Sequence, residues 1–195
     1  MDAELQGADA SEIRRHLQLI ADVRKTMIRP PGLRWSSPEE MLVEGGLAFG
    51  PGPSRPDLMG DTKACYSNAM RAVLSDPGRL VYCEGFAISG TVRLPVHHAW
   101  VMEIGSSPLA AVEVTWPQDW RKPKDDFLYL GVPVDPDFAL KSLKSGGCLF
   151  WDHRAGYPMM SRDVPLEDWW HSEVPLPPAF LAADMDQAGV GSPRP

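Results

Sequence analysis

Between Ser11 and Arg29 apolar residues recur at Ile13, Leu17, Ile20, Val23 and Met27, steps of three and four that draw one stripe along a helix. Arg14, Arg15, Arg24 and Lys25 fall mostly off that stripe. Ser11 can cap the start of the predicted helix and Pro30-Pro31 stops it. From 30 to 62 the chain is rich in Pro, Gly and Ser, and the period is lost. A short helical turn is expected at Ser37-Pro38-Glu39-Glu40, which supplies a cap, a first-turn proline and two acids favoured by the helix dipole. Residues 50–61 read as a loop. Ala, Met and Leu then favour a helix over 62–74, capped by Asp61 or Thr62 and ended by Asp76-Pro77-Gly78.

Beyond Gly78 the period becomes that of strands. Leu80–Ile88, Val92–Ile104, Ala110–Trp116 and Phe127–Val132 are expected as strands, with turn signals at Ser89-Gly90 and Gly105-Ser106-Ser107-Pro108. Connections this short between the first three predict an antiparallel meander. Asp135 to Ser145 reads as a short helix, with Phe138, Leu140 and Leu143 apolar. The tail from Asp184 to Pro195 is expected to be disordered. No internal repeat is present. The fold class expected is α+β: an antiparallel sheet with a helix packed on one face, in a single domain over 1–183 whose core spans about 60–145. The helix at 11–29 covers one side of it, and Trp116, Trp120, Trp169 and Trp170 read as core or groove walls.

A length of 195 residues with 44% hydrophobic and 23% charged residues is that of one globular domain. A net charge of −7, with no cluster of Lys and Arg, argues against nucleic acid as a partner. No apolar run approaches the roughly 18 residues that span a bilayer, and the first residues lack a signal-peptide pattern, so neither a membrane nor export is expected and the cytoplasm is the default compartment. Cys65, Cys83 and Cys148 are an odd set without CxxC spacing. They suggest free thiols rather than a disulfide framework or a zinc knuckle.

One of the thiols stands out. Cys65 falls in the first turn of a predicted helix, where unpaired backbone N–H groups favour a thiolate and later an oxyanion. In the strand Leu94–Ile104, alternation puts His98 with Leu94, Val96, Trp100, Met102 and Ile104, and His97 on the other face. His98, the lone ionisable residue of the apolar stripe, is expected to face the helix and Cys65, while His97 points away. Glu113, a lone acid in the next apolar strand, can accept from the second imidazole nitrogen. Cys65, His98 and Glu113 are therefore the candidate catalytic residues. Asn68 shares the helix face of Cys65, and Glu84 sits in an apolar strand; with Tyr66, Trp100 and Trp116 they are the residues expected to line a substrate site, though Asn68 reads equally as a satisfied core amide. Cys83 and Cys148 read as packed thiols. Cys65 with both histidines does not suit a metal, because adjacent residues of a strand point apart, and no cofactor is expected.

A cysteine opening a helix, then His98-Ala99-Trp100 on a strand, then Glu113-Val114-Thr115, resembles the transglutaminase-like branch of the papain-like cysteine fold. The resemblance covers roughly residues 60–132, with Tyr82-Cys83-Glu84-Gly85 and Tyr129-Leu130-Gly131-Val132 among the matching strings, and similar strings occur in small bacterial and phage proteins of this type. Arylamine N-acetyltransferases, which share the Cys-His-acid core, are a more distant comparison. The family usually carries Asp where this chain has Glu113. The resemblance implies acyl transfer through a Cys-His-acid triad, to water as a peptidase or amidase or to an amine as a transferase, on a peptide, protein or small acyl or amide substrate. It equally admits a fold that has lost catalysis and binds a peptide or protein partner.

Overall fold

The computed structural model describes residues 10–27, 32–88, 94–116, 127–144, 148–151 and 158–182. Helix α1 runs Ser11–Lys25, α2 Pro38–Gly45, α3 Cys65–Ser75 and α4 Pro136–Lys144; strands are β1 Leu47–Pro51, β2 Leu80–Ile88, β3 Val96–Glu103, β4 Ala110–Ala111 and β5 Leu128–Val134. No helix among the described residues is long and apolar enough to cross a membrane.

In α1 the buried stripe is Ile13, Leu17 and Ala21, a strict four-residue step. Ile20, Val23 and Met27, expected inside, lie at the surface. The difference comes from Arg14: its guanidinium donates to the carbonyls of Leu42, Val43 and Gly46 at 3.2, 2.8 and 2.6 Å. It thereby adds a donor at the C-terminal end of α2, where Leu42 O also accepts the Gly46 amide at 2.9 Å, and it turns α1 by about one position. Ala10, not Ser11, occupies the cap position. At α2 the expected signal holds, with the Ser37 hydroxyl accepting from the Glu40 amide at 3.2 Å and Pro38 in the first turn.

The fold is α+β, with a mixed five-stranded sheet in the order β3-β2-β5-β1-β4. The β2–β3 hairpin is antiparallel as expected, from Leu80↔Glu103 to Ala87↔Val96. The expected meander does not continue past this hairpin. β5 pairs antiparallel with the other side of β2, β1 pairs antiparallel with β5, and β4 pairs parallel with β1. β1 is a strand where a Gly/Pro-rich segment gave no periodicity to read. The bridge Val101↔Val112, with mutual N–H···O bonds of 3.2 and 2.7 Å, then ties the segment after β4 back to β3. The sheet therefore curls on itself.

Every residue of β2 is buried, so both of its faces are covered rather than one. On one face lie Tyr82, Glu84 and Phe86, and beside them on β3 Ala99 and His97; on the other lie Cys83 and Gly85 with Trp100 and His98. The second face is the inside of the curl, where Trp100 packs against Phe49 and Tyr129 at centroid distances of 5.4 and 5.2 Å. Gly85 and Gly131 stand opposite each other in the ladder, and a Cβ on Gly131 would lie 2.5 Å from both the Glu84 carbonyl and the Trp100 ring. Gly131 leaves the volume that this indole fills, and Gly85 allows the close approach of the Leu130–Gly131 backbone. Leu94 and Val96, the start of the predicted apolar stripe, are exposed, because the curl begins only at His98. Toward the C-terminus, Trp170 packs on Phe180, which reaches Trp35 beside α2. Asp135, accepting from the Asp137 and Phe138 amides at 3.0 Å, starts α4 close to its expected bounds. Trp120, residues 92–93 and the tail from 184 lie outside the described residues.

Gly131→Ala is expected to lower the unfolding free energy by about 1–3 kcal/mol through overpacking. Gly78→Ala, where a Cβ meets nothing within 4 Å, stays within about 0.5 kcal/mol of wild type. Urea midpoints of the two variants provide the check; equal effects would contradict the close packing over β5.

Candidate functional site

Helix α3 begins where Lys63 takes a left-handed φ of 66° and turns the loop, leaving Ala64 at the cap position with no side-chain cap and Cys65 as the first helical residue. The amides of the first turn have no intrahelical acceptor. Cys65 and Tyr66 then reach different histidines. Cys65 lies near enough to His98 to help raise its pKa, and the Tyr66 hydroxyl lies 2.9 Å from His97 Nδ1. Since His97 and His98 project to opposite faces of β3, the start of α3 lies across this strand rather than over one face of the sheet.

His98 Nε2 is 3.0 Å from Glu113 Oε2, so Nδ1 is the ring nitrogen that the acid does not engage. Trp116 stacks on the imidazole at 4.1 Å between centroids, with the planes 13° apart. Glu113 also accepts the Tyr129 hydroxyl on Oε2 at 3.1 Å, and its Oε1 takes the backbone N–H groups of Val114, Thr115 and Trp116 at 2.9, 2.8 and 3.1 Å. Those amides would otherwise serve a strand ladder. The carboxylate competes for them and wins. This is why the strand expected over Ala110–Trp116 stops at Ala111, apart from the bridge at Val112.

Of the three sequence-predicted residues, His98 and Glu113 are hydrogen-bonded and Cys65 acts on the same imidazole; all three are buried, Cys65 at 9% exposed, His98 2% and Glu113 1%. Burial opposes charge on both members of the His98–Glu113 pair. The Glu113 charge, the hydrogen bond to Glu113 and the nearby Cys65 nonetheless raise the imidazole to about 9. Burial likewise pushes at Glu113, but the His98 charge and the backbone donors hold its carboxyl below the ordinary range. The pair is ionic at neutral pH.

Of the predicted lining residues, Asn68 donates to the Asp61 carbonyl at 2.8 Å and to Thr115 Oγ1 at 2.9 Å, and accepts from Arg71 at 3.2 Å, so it ties the start of α3 to the turn around Glu113. It is the satisfied core amide. Trp100 is fully buried inside the curl, whereas Trp116 is half-buried and covers His98.

Tyr66 and Glu84 belong to a second cluster that sequence reasoning missed. His97, expected to point away, does so toward a set of buried partners: Cys148 Sγ is 3.6 Å from its Nδ1, and Glu84 Oε1 is 3.4 Å from its Nε2. Glu84 also accepts from Tyr82 Oη at 2.7 Å and from the Leu149 and Phe150 amides at 3.3 and 3.1 Å. The ring lies between Phe86 and Phe150, each 5.1 Å away. The electrostatics are opposite to those of the first cluster. Burial pushes Glu84 up to about 7 and, aided by the His98 charge, His97 down to about 3. At neutral pH the His97 ring is uncharged, and its approach to Glu84 is not an ion pair. Strand alternation, which groups Tyr82, Glu84 and Phe86 opposite His97, is the one signal that pairs this acid with this histidine. Nothing in the sequence points to Cys148. Cys83, fully buried with its thiol pushed well up by burial, is a packed thiol.

Comparison with protein-family models, with curated proteins and with solved structures found no match to this chain.

The raised His98 value sets a pH dependence. A group whose pKa is higher folded than unfolded adds stability in full below its unfolded value, ordinarily about 6.5, and loses it as pH rises through the folded value of about 9. Wild type is therefore expected to lose stability relative to His98→Gln between these limits, by an amount on the order of a few kcal/mol. Denaturant unfolding of both proteins across this range tests it; parallel curves would refute the ionic pair.

Proposed function

We propose that the chain is a cysteine-dependent acyl-transfer enzyme of the transglutaminase-like, papain-like type, acting on a peptide, protein or small amide or ester. One observation carries the reading: the buried 3.0 Å hydrogen bond between His98 and Glu113, on an imidazole that Cys65 also acts on from the start of α3. The order Cys, His, acid along the sequence and the thiol at a helix start support it, as do the three free cysteines, which suit a reducing cytoplasm.

In the proposed reaction Sγ attacks the substrate carbonyl carbon as a thiolate beside the already protonated His98. The first-turn amides of α3 hold the oxyanion that forms. As the tetrahedral species collapses, the C–N or C–O bond breaks and the imidazolium gives its proton to the leaving group. Water or an amine then attacks the thioester, His98 takes the proton of the incoming group, and Sγ departs as the thiolate, restoring the starting pair. Glu113 does not exchange a proton. Its role is to fix the ring with Nε2–H toward the carboxylate and to stabilise the imidazolium. Tyr129 and the amides of Val114, Thr115 and Trp116 fix the carboxylate in turn. Where the family it resembles uses Asp, the longer Glu113 reaches the imidazole while its other oxygen collects amides from its own backbone.

Cys65→Ala is expected to abolish turnover of aryl-ester and aryl-amide test substrates while leaving the circular dichroism spectrum unchanged. Glu113→Gln is expected to lower kcat by about 10²–10⁴-fold. Iodoacetamide at neutral pH is expected to modify Cys65 ahead of Cys83 and Cys148, and His98→Gln to slow that labelling at least about tenfold. Mass-spectrometric mapping that finds all three thiols equally reactive in the native protein would sink the proposal.

A further inference from the structure

The cluster on the opposite side of β3 has a composition that the acyl-transfer reading does not use. We propose that Glu84, His97 and Cys148 form a binding site for a divalent transition metal of the zinc class. They bring one carboxylate oxygen, one imidazole nitrogen and one thiol sulfur within 4.8 Å of one another.

The donor set is the first argument. A sulfur, a nitrogen and an oxygen together are the ligands of zinc and its neighbours, not of calcium or magnesium, which take oxygen alone. The second is spacing. Bonds of about 2.0–2.3 Å at tetrahedral angles put neighbouring ligand atoms roughly 3.3–3.6 Å apart. Glu84 Oε1 and His97 Nε2 are 3.4 Å apart, Cys148 Sγ is 3.6 Å from the ring's other nitrogen, Nδ1, and one ligand atom from each of the three residues lies within 4.8 Å of the others.

The surroundings are those of a supported ligand set. Glu84 is fully buried on the central strand, and its carboxylate is aimed by the Tyr82 hydroxyl and by the amides of Leu149 and Phe150. Those two amides directly follow Cys148, so the segment that supplies the sulfur also orients the oxygen. The Tyr66 hydroxyl bonds His97 Nδ1, the arrangement by which an outer partner fixes a ligating imidazole with its other nitrogen, Nε2, toward the metal. Binding would release the Cys148 proton to solvent as the sulfur–metal bond forms. It would also join β2, β3 and the segment at 148 beside Tyr66, the neighbour of Cys65. The site is separate from the His98 side of β3, and the inference does not rest on the proposed reaction.

The test uses the full chain, stripped with a chelator and titrated with zinc and, separately, cobalt(II). One zinc per chain, held against a micromolar chromophoric competitor, is expected, with a sulfur-to-cobalt charge-transfer band. Cys148→Ser is expected to lose the band and at least about tenfold in affinity, while Cys65→Ser keeps both. Because His97 and Glu84 lie in the core, substituting them risks misfolding, and protection from alkylation on wild type gives an independent reading: zinc should shield Cys148 selectively. No stoichiometric binding, a band that follows Cys65 instead of Cys148, or zinc protection confined to Cys65 would each overturn the assignment.

Discussion

The Glu113 carboxylate is the constraint on which the rest is built. Buried with an exposure of 1%, it must satisfy its lone pairs inside the protein. It does so by folding the three residues that follow it around one oxygen and by drawing Tyr129 and His98 to the other. The first of these ends a strand. The second links β5, the central strand of the sheet, to the turn after β4. The third brings the imidazole of β3 into line with the start of α3. Curl and site are therefore two results of satisfying one buried acid.

Burial and its compensation also explain why adjacent histidines behave so differently. His98 meets an acid that backbone dipoles hold in its charged form, and the ring is charged with it. His97 meets an acid that burial pushes toward neutrality, and its ring is uncharged at neutral pH. Alternation along a strand sends the two rings to opposite faces. Helix α3 then lays one residue against each, Cys65 on one side and Tyr66 on the other. A single strand thus presents a polar pair in one environment and a soft-donor cluster in another, separated by one backbone.

Much of this was legible in the sequence where one physical cause acts locally. Strand alternation separates His98 from His97, and the apolar context of Glu113 marks it as a residue needing a partner. Ser37-Pro38 announces α2, and the helix carrying Cys65 follows from composition. What escaped reading depends on distant residues. The buried stripe of α1 is set by Arg14 reaching carbonyls 28 to 32 residues away. β1 has too few residues and too much Gly and Pro to show a period, and it is a strand only because β5 and β4 flank it. The early end of β4 reflects a side chain outcompeting a ladder, which no propensity records. Cys148 enters its cluster through a contact across 51 positions with His97. Periodicity is silent about such pairings.

The position of β1 has a consequence for how the molecule is made. This strand leaves the ribosome early, yet its neighbours in the sheet are β5 and β4, which arrive some sixty to eighty residues later. Until then the nascent chain holds an unpaired strand, and neither Tyr129 nor the turn that cradles the Glu113 side chain has been translated. Sequence-distant partners of this kind slow folding by raising the loop entropy that must be lost before any contact is gained. The environment of the Cys65 sulfur is accordingly a late product of biosynthesis, complete only when β5 has slotted between β2 and β1.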